Sequence, residues 1–360
     1  MKIGFVNGFS NNKSNSFSLY NVGSLKIIER LFNILKNNMD RVYFVVDIES
    51  FDIYKEIIEK NKIDIIFSES SKSEFENIKG FFLKEDQVFF FCCNLFAMSD
   101  MFDFINDKDK NLNVFDENDK LCFSIHSGWD LICQESRKAQ QIRVKNNFVK
   151  VIDSPDKYIE TIKNFYLENN YRAISNGVSI LDINNVYIDE NVSIEPGVVI
   201  YPNNYISGTT KIKEGVIIYS NCFIDDSFID GGCKVGPYSN LKKGSVIGKK
   251  SVVGAFVEIK NSVLKGNVKV KHHAYLGDGI VGRDSNIGCG VIFANYDGKT
   301  KNKTIIGNEC FVGSNVTIVA PCHIGDNSTI AAGSTIVNDV TNNSLAIARS
   351  KQINKVDYYK

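Results

Sequence analysis

Across the second half of the chain an apolar residue returns at every sixth position, with Gly, Asn or Asp between. In hexads, the run from Val186 is VYIDEN, VSIEPG, VVIYPN, and further on it reads FVGSNV, TIVAPC, HIGDNS, TIAAGS, TIVNDV. Such a period fits neither the repeat of about 3.6 of a helix nor the repeat of about 2 of a plain strand. It is the mark of a parallel β-helix, in which three hexads, about 18 residues, close one triangular coil. The array from about residue 180 to residue 340 predicts roughly eight or nine coils. Val, Ile, Ala and Cys would fill the interior, each stacked on its equivalent in the next coil. Two places break the pattern. The polar run Asp297-Gly298-Lys299-Thr300-Lys301-Asn302-Lys303 is too hydrophilic for a rung and should loop out of the coil. The pair His272-His273 interrupts the aliphatic series and should face outward or sit at a corner.

The first part of the chain is patterned differently. Short apolar runs at Ile3-Gly4-Phe5-Val6, residues 42–47, 64–68 and 87–94 read as strands, and residues 25–35 and 54–61 carry apolar positions at helical spacing. Strands alternating with helices predict a three-layer α/β domain around a parallel sheet. Residues 155–170 read as a helix, with Tyr158, Ile159, Ile162, Phe165 and Tyr166 on one side and Asp153 or Ser154 as cap before Pro155. The expected organisation is an α/β domain over residues 1–152, a linking helix and connector over 153–179, a β-helix over 180–345 and a tail over 346–360.

Charge and cysteine content narrow the partners. With 42 basic and 42 acidic residues there is no electrostatic footprint for nucleic acid or an anionic membrane. The start, MKIGFVNGFS, has neither an apolar core nor a cleavage site, and no run reaches the roughly 20 apolar residues that span a bilayer. The expected location is the cytoplasm, and the expected partners are small molecules or protein. The nine cysteines show no C-x-x-C spacing, which argues against a zinc site or a disulfide framework. Cys222, Cys233, Cys289, Cys310 and Cys322 fall inside the array and are expected to fill rungs.

Several stretches carry more than the repeat. Gly236-Pro237-Tyr238, Phe256-Val257-Glu258-Ile259-Lys260, His272-His273-Ala274-Tyr275-Leu276-Gly277-Asp278, Asn286-Ile287-Gly288-Cys289-Gly290, Asn295-Tyr296-Asp297-Gly298 and Phe311-Val312-Gly313-Ser314 follow in this order. In order and spacing they resemble the acetyltransferase half of the GlmU family, bifunctional N-acetylglucosamine-1-phosphate uridyltransferases and glucosamine-1-phosphate acetyltransferases. The resemblance runs from about residue 176 to the end. It implies a left-handed β-helix, acetyl-CoA as co-substrate with no magnesium needed for acetyl transfer, and a homotrimer whose sites are shared between subunits. His272 would be the general base, a role open to histidine because an unperturbed imidazole titrates near operating pH. Lys260, Tyr275 and Asn286 match residues that hold the sugar phosphate. Lys242 stands where the family has an arginine, keeping the charge but losing the bidentate fork. Cys289, Asn295, Tyr296, Ser314, Ala332 and Arg349 match the acetyl-CoA site, and Lys301 would close over the ligands. His273 stands at an apolar position of the family and is expected to be a bystander.

The first domain departs from the family. The loop after the first strand, Asn7-Gly8-Phe9-Ser10-Asn11-Asn12-Lys13-Ser14, lacks the family's G-x-G-T-R-M and Pro-Lys, and Cys93-Asn94 stands where a magnesium-binding aspartate is expected. This half therefore reads as a shortened, degenerate nucleotidyltransferase relative whose uridyl transfer is lost. Three functions are compatible with the sequence: acetylation of glucosamine 1-phosphate, acetylation of another amino sugar such as a nucleotide-linked one, and a non-catalytic scaffold or regulatory subunit.

Overall fold

The structure is a computed structural model. It describes residues 1–7, 18–23, 25–46, 48–67, 87–92, 95–97, 112–115, 121–127, 140–143, 149–356 and 358. The chain divides into two compact units, residues 1–165 and 166–360.

In the first unit, Lys2–Asn7, Arg41–Val46, Asp64–Phe67 and Gln87–Cys92 form parallel pairs. Leu121–Ser127, which the apolar pattern did not single out, lies antiparallel between Gln87–Cys92 and Leu112–Phe115, and Gln140–Arg143 completes a seven-stranded sheet. Alternate residues supply opposite faces. Val6, Phe44, Val46, Phe89 and Phe91 pack with the helices Ile27–Asn38 and Ile48–Asn61, whereas Ile3, Phe5, Tyr43, Val45 and Val88 form a second cluster. Burial on both faces explains why the strands read as unbroken apolar runs. The segments 8–14 and 93–94, where the phosphate-loop and magnesium positions were sought, lie outside the described residues.

The helix Pro155–Ser175 begins where Pro155 follows Ser154, whose Oγ accepts the Lys157 N–H at 3.4 Å. Near its end, Asn169 donates to the Ile188 carbonyl and Asn170 to those of Ile183 and Val186, all within 2.9 Å. These amides serve carbonyls of the first coil that have no coil beneath them.

The second unit is a parallel β-helix of three sheets holding ten, nine and eight strands. Taken in the order the chain meets them, the first face includes Val252–Ala255, Lys269–His272, Asn286–Ile287 and Phe311–Val312. The second includes Asn240–Lys242, Glu258–Lys260, Tyr275–Gly277 and Ile292–Ala294, and the third Val263–Leu264, Gly279–Val281 and Thr304–Ile306. Bonds between neighbouring coils join residues 17 or 18 apart, and 25 apart where residues 297–303 loop out. Val235, Val253, Val270, Ile287 and Val312 stack inside the first face; Leu241, Ile259, Leu276 and Phe293 do so inside the second. Corner serines satisfy the turns, as where Ser245 Oγ donates to the Ile259 carbonyl at 2.9 Å and Ser262 Oγ to that of Leu276 at 3.1 Å. Four of the five array cysteines fill rungs as expected, but Cys289 is exposed. It lies at a corner, where the repeat has no inward position.

Candidate functional site

Lys242, Lys260, Asn295, Tyr296 and Lys301 lie at or beyond the far end of the second face, whereas His272, Cys289, Ser314 and Ala332 lie at the corner between the first and second faces. Its turn positions have positive φ in coil after coil, from Asn203 and Asn221 through Tyr238, Phe256 and His273 to Gly290, Asn315 and Gly333. The corner is laced by backbone bonds from Gly290 N–H to the His273 carbonyl (2.9 Å), Asn315 N–H to Cys289 (2.7 Å) and Gly333 N–H to Ser314 (2.8 Å). Coils approach closely here. A Cβ at Gly288 would lie 2.7 Å from the Gly313 carbonyl carbon, and one at Gly313 would lie 2.5 Å from the Ala332 nitrogen.

His272 ends its strand opposite Ala255 and is exposed. Continuing the ladder that pairs Asn286 with Phe311 and Phe311 with Thr329, the column above His272 is Cys289, Ser314, Ala332. Arg349 lies over its top, with Cδ 3.9 Å from where a Cβ of Gly333 would stand. Among the described residues, the Cys289 N–H donates to no backbone carbonyl. The column thus joins an exposed imidazole to a backbone donor one coil above it.

The second face carries a charged set. Lys242, Lys260 and Gly277 are register partners, as are Glu258 and Tyr275. Lys242 Nζ lies 2.8 Å from Glu258 Oε1, and Asn240 Nδ2 is 3.3 Å from Oε2. Glu258 was visible in the motif but carried no assigned role; its effect is to hold Lys242. Lys260 pairs with no carboxylate among the described residues. Asn286 is placed apart from this set, on the first face between Lys269 and Phe311.

Asn295 and the loop that follows are committed to structure. Asn295 is 7% exposed and donates to Asp278 Oδ2 at 2.6 Å, while Asn261 donates to Oδ1 at 2.5 Å. Tyr296 is exposed, with its hydroxyl on the Gly298 carbonyl (2.8 Å) and an antiparallel bridge to the exposed Lys301. Asp297 accepts from the N–H groups of Thr300 (2.7 Å) and Lys299 (2.8 Å), from Thr300 Oγ1 (2.9 Å) and from Asn302 Nδ2 (3.0 Å). These donors hold its carboxyl well below the usual carboxylate range. His273 stacks on Phe256 at 4.9 Å, and Phe256 on Tyr238 at 5.1 Å. Among the described residues no three His, Cys, Asp or Glu side chains converge as metal ligands, and no helix is long and apolar enough to cross a membrane.

Residues 223–307 match the family model for the GMPPB C-terminal domain. Residues 303–338 match the bacterial transferase hexapeptide model of six repeats, the sequence form of the left-handed β-helix coils seen here. The bifunctional protein GlmU of Acetivibrio thermocellus is 46% identical over 203 residues, covering 52% of this chain and 44% of that protein. The chain is a relative of the GlmU proteins. The GlmU of Clostridium novyi is 38% identical over 241 residues, 62% of this chain and 53% of that protein. That of Caldicellulosiruptor saccharolyticus is 37% identical over 270 residues, 69% and 58%. The chain spans about half the length of the GlmU relatives it matches. Among solved structures, a Francisella novicida UDP-N-acetylglucosamine acyltransferase is 17% identical over 47% of this chain and 66% of that one. Its TM-score is 0.30.

Proposed function

We propose that the protein is an acetyl-CoA-dependent N-acetyltransferase that acts on glucosamine 1-phosphate. The observation that supports this most directly is the column: His272 stands in solvent one coil below the unengaged N–H of Cys289, round the corner from Lys242 and Lys260. His272 takes a proton from the amino group of the sugar, and the freed nitrogen attacks the thioester carbonyl carbon. The oxyanion forms on the Cys289 N–H, a fixed donor that needs no reorganisation. The carbon–sulfur bond then breaks, and CoA leaves as thiolate and is protonated. Lys260 and Lys242 meet the sugar phosphate, Tyr275 and Asn286 orient the sugar, and Ser314, Ala332 and Arg349 line the path of CoA. Tyr296 and Lys301 stand on the looped hairpin that joins the second face to the third. Asn295 serves through the corner it fixes.

These groups lie on two faces that meet at a convex corner, and binding sites are concave. A second copy of the chain is therefore needed to wall the site, which supports a homotrimer with shared sites. The α/β unit is proposed to have lost uridyl transfer. A second reading, with another amino sugar as acceptor, is favoured by the Lys242–Glu258 pair, since a lysine held by a carboxylate offers less charge to a phosphate.

The test follows release of free CoA from acetyl-CoA across a panel of amino sugars, with wild type and His272→Ala in parallel. Turnover with glucosamine 1-phosphate that disappears in the variant is expected. Turnover only with a different amino sugar would select the second reading, and none with any acceptor would leave a scaffold. UTP, magnesium and N-acetylglucosamine 1-phosphate should yield no UDP-N-acetylglucosamine.

A further inference from the structure

We infer that the stacked rings of Tyr238, Phe256 and His273 close the N-terminal end of the acyl site and restrict the group transferred to acetyl. This rests on the acetyltransferase reading above and deepens it, by assigning a donor-selecting role to residues outside the catalytic column.

Three observations converge on these rings. The first is conformational. Elsewhere on this corner the positive-φ positions are Asn203, Asn221, Gly290, Asn315 and Gly333, types that adopt this backbone at little cost. Tyr238, Phe256 and His273 hold φ of 56°, 56° and 41°, a strain that an asparagine would largely avoid. The second is exposure. Tyr238 and Phe256 remain 51% and 54% exposed, so their rings are not there to fill a core. They are nevertheless ordered as a parallel pile, with interplanar angles of 9° between Tyr238 and Phe256 and 19° between Phe256 and His273.

The third is position. The pile ends at His273, and the next turn position above it is Gly290, which offers only a hydrogen. That change from ring to hydrogen falls between the coil of His272 and the coil of Cys289. It is the level at which the thioester carbonyl sits when its oxygen is held by the Cys289 N–H and its carbon is attacked beside His272. Toward the C-terminal coils the column is Cys289, Ser314 and Ala332, small enough for an extended arm to lie along it. Toward the N-terminal coils the column runs through His272 to Ala255, and the rings of His273 and Phe256 stand at the turn positions beside these two. On this inference a methyl group is accepted at their rim, whereas a longer acyl chain meets the stacked rings. An apolar wall of this kind discriminates by about 10- to 200-fold per methylene. His273, by sequence a bystander, becomes a specificity residue through its place on the pile.

The experiment compares kcat/KM for acetyl-, propionyl- and butyryl-CoA in wild type, His273→Gly, Phe256→Gly and the double variant. Glycine accepts the positive φ, so these changes remove the rings without straining the corner. The butyryl-to-acetyl ratio is expected to rise at least about tenfold in His273→Gly and further in the double variant. The complementary variant His273→Trp enlarges the wall and is expected to lower the propionyl-to-acetyl ratio; it also serves if a glycine variant fails to fold. A wild type that transfers butyryl as readily as acetyl overturns the gate. So does a ratio unmoved in the folded glycine variants, or in His273→Trp, while acetyl turnover persists. Wild type inert with every donor fells the acetyltransferase reading itself, and the gate with it.

Discussion

In the α/β unit, charged side chains are drawn into the packing. Glu29 is 7% exposed and lies 2.7 Å from Lys60, and Arg30 is 3% exposed with its guanidinium 4.7 Å from the centre of the Phe165 ring. Burial alone would raise the Glu29 pKa, but the bonds from Lys60 and from the Lys26 N–H bring it below its ordinary value. In the β-helix the apolar interior is one continuous cluster, its buried carboxylates Asp189 and Asp278 are 3% and 9% exposed, and Lys242, Glu258, Lys260 and His272 stand on outer faces or corners. The difference separates two uses of polar groups. Where helices must dock on a sheet, polar side chains are spent on making elements fit. Where each coil satisfies the next through backbone bonds, the outer positions are free to carry chemistry.

The largest test of that contrast is His272→Ala. Loss of a general base should lower acetyl transfer by about 10²- to 10⁴-fold, while an exposed position leaves stability within about 0.5 kcal/mol of wild type. A melting temperature that falls along with the activity would place His272 among the structural residues and break the comparison. A core change should behave in the opposite way. Ile259→Ala, fully buried inside the second face, is expected to cost about 2–5 kcal/mol. In a stack bound mainly to its neighbours, the damage should appear in hydrogen exchange as lost protection in nearby coils, with residues 1–165 unchanged. Loss of protection throughout both units would show that they do not behave as separate cores.

The cysteines test the same division between inside and outside. Burial pushes the thiols of Cys222, Cys233 and Cys322 up to about 11, and raises that of Cys310. At pH 8 a thiol with such a value is about 0.1% thiolate, in addition to being shielded. Brief maleimide treatment of the native protein, read by peptide mass spectrometry, should therefore modify Cys289 about 10²-fold faster than these four. Comparable rates would mean that the coils open readily.

Legibility in the sequence follows the same line. The hexads announced the β-helix because a repeat states what each position should be, and His272, the His273 neighbour and residues 297–303 stood out as departures. What the repeat could not show is lateral position. Asn286 and Lys260 look alike as motif residues but lie on different faces, and Cys289 looks like a rung but falls at a corner. The Lys242–Glu258 pair and the ring pile join residues 16 to 18 positions apart, a relation visible only once the coil length is fixed. In the α/β unit no repeat supplies such a background. Leu121–Ser127 was missed because its apolar residues are mixed with Ser124, His126 and Ser127.

Asp297 gives the smallest and most local test, because it is an exposed polar group used for structure. Its carboxylate gathers four donors within the hairpin and its pKa is depressed. The sign of the linkage follows from that. A folded-state value below the unfolded one means that the contribution is fully present above the ordinary value of 3.8, and is lost only as pH falls through the lower folded value. The Lys299 and Thr300 amides should therefore keep their NMR shifts and protection as pH is lowered to about 3, while ordinary carboxylates titrate. If those amides titrate near 3.8, the hairpin is not organised by Asp297. Asp297→Ala should free the loop, leave the melting temperature of the coils nearly unchanged, and raise the KM for acetyl-CoA about two- to fivefold through the cost of ordering a flexible segment on binding. A change in melting without a change in KM would return this loop to the scaffold, and place the boundary between structure and chemistry further out than the corner.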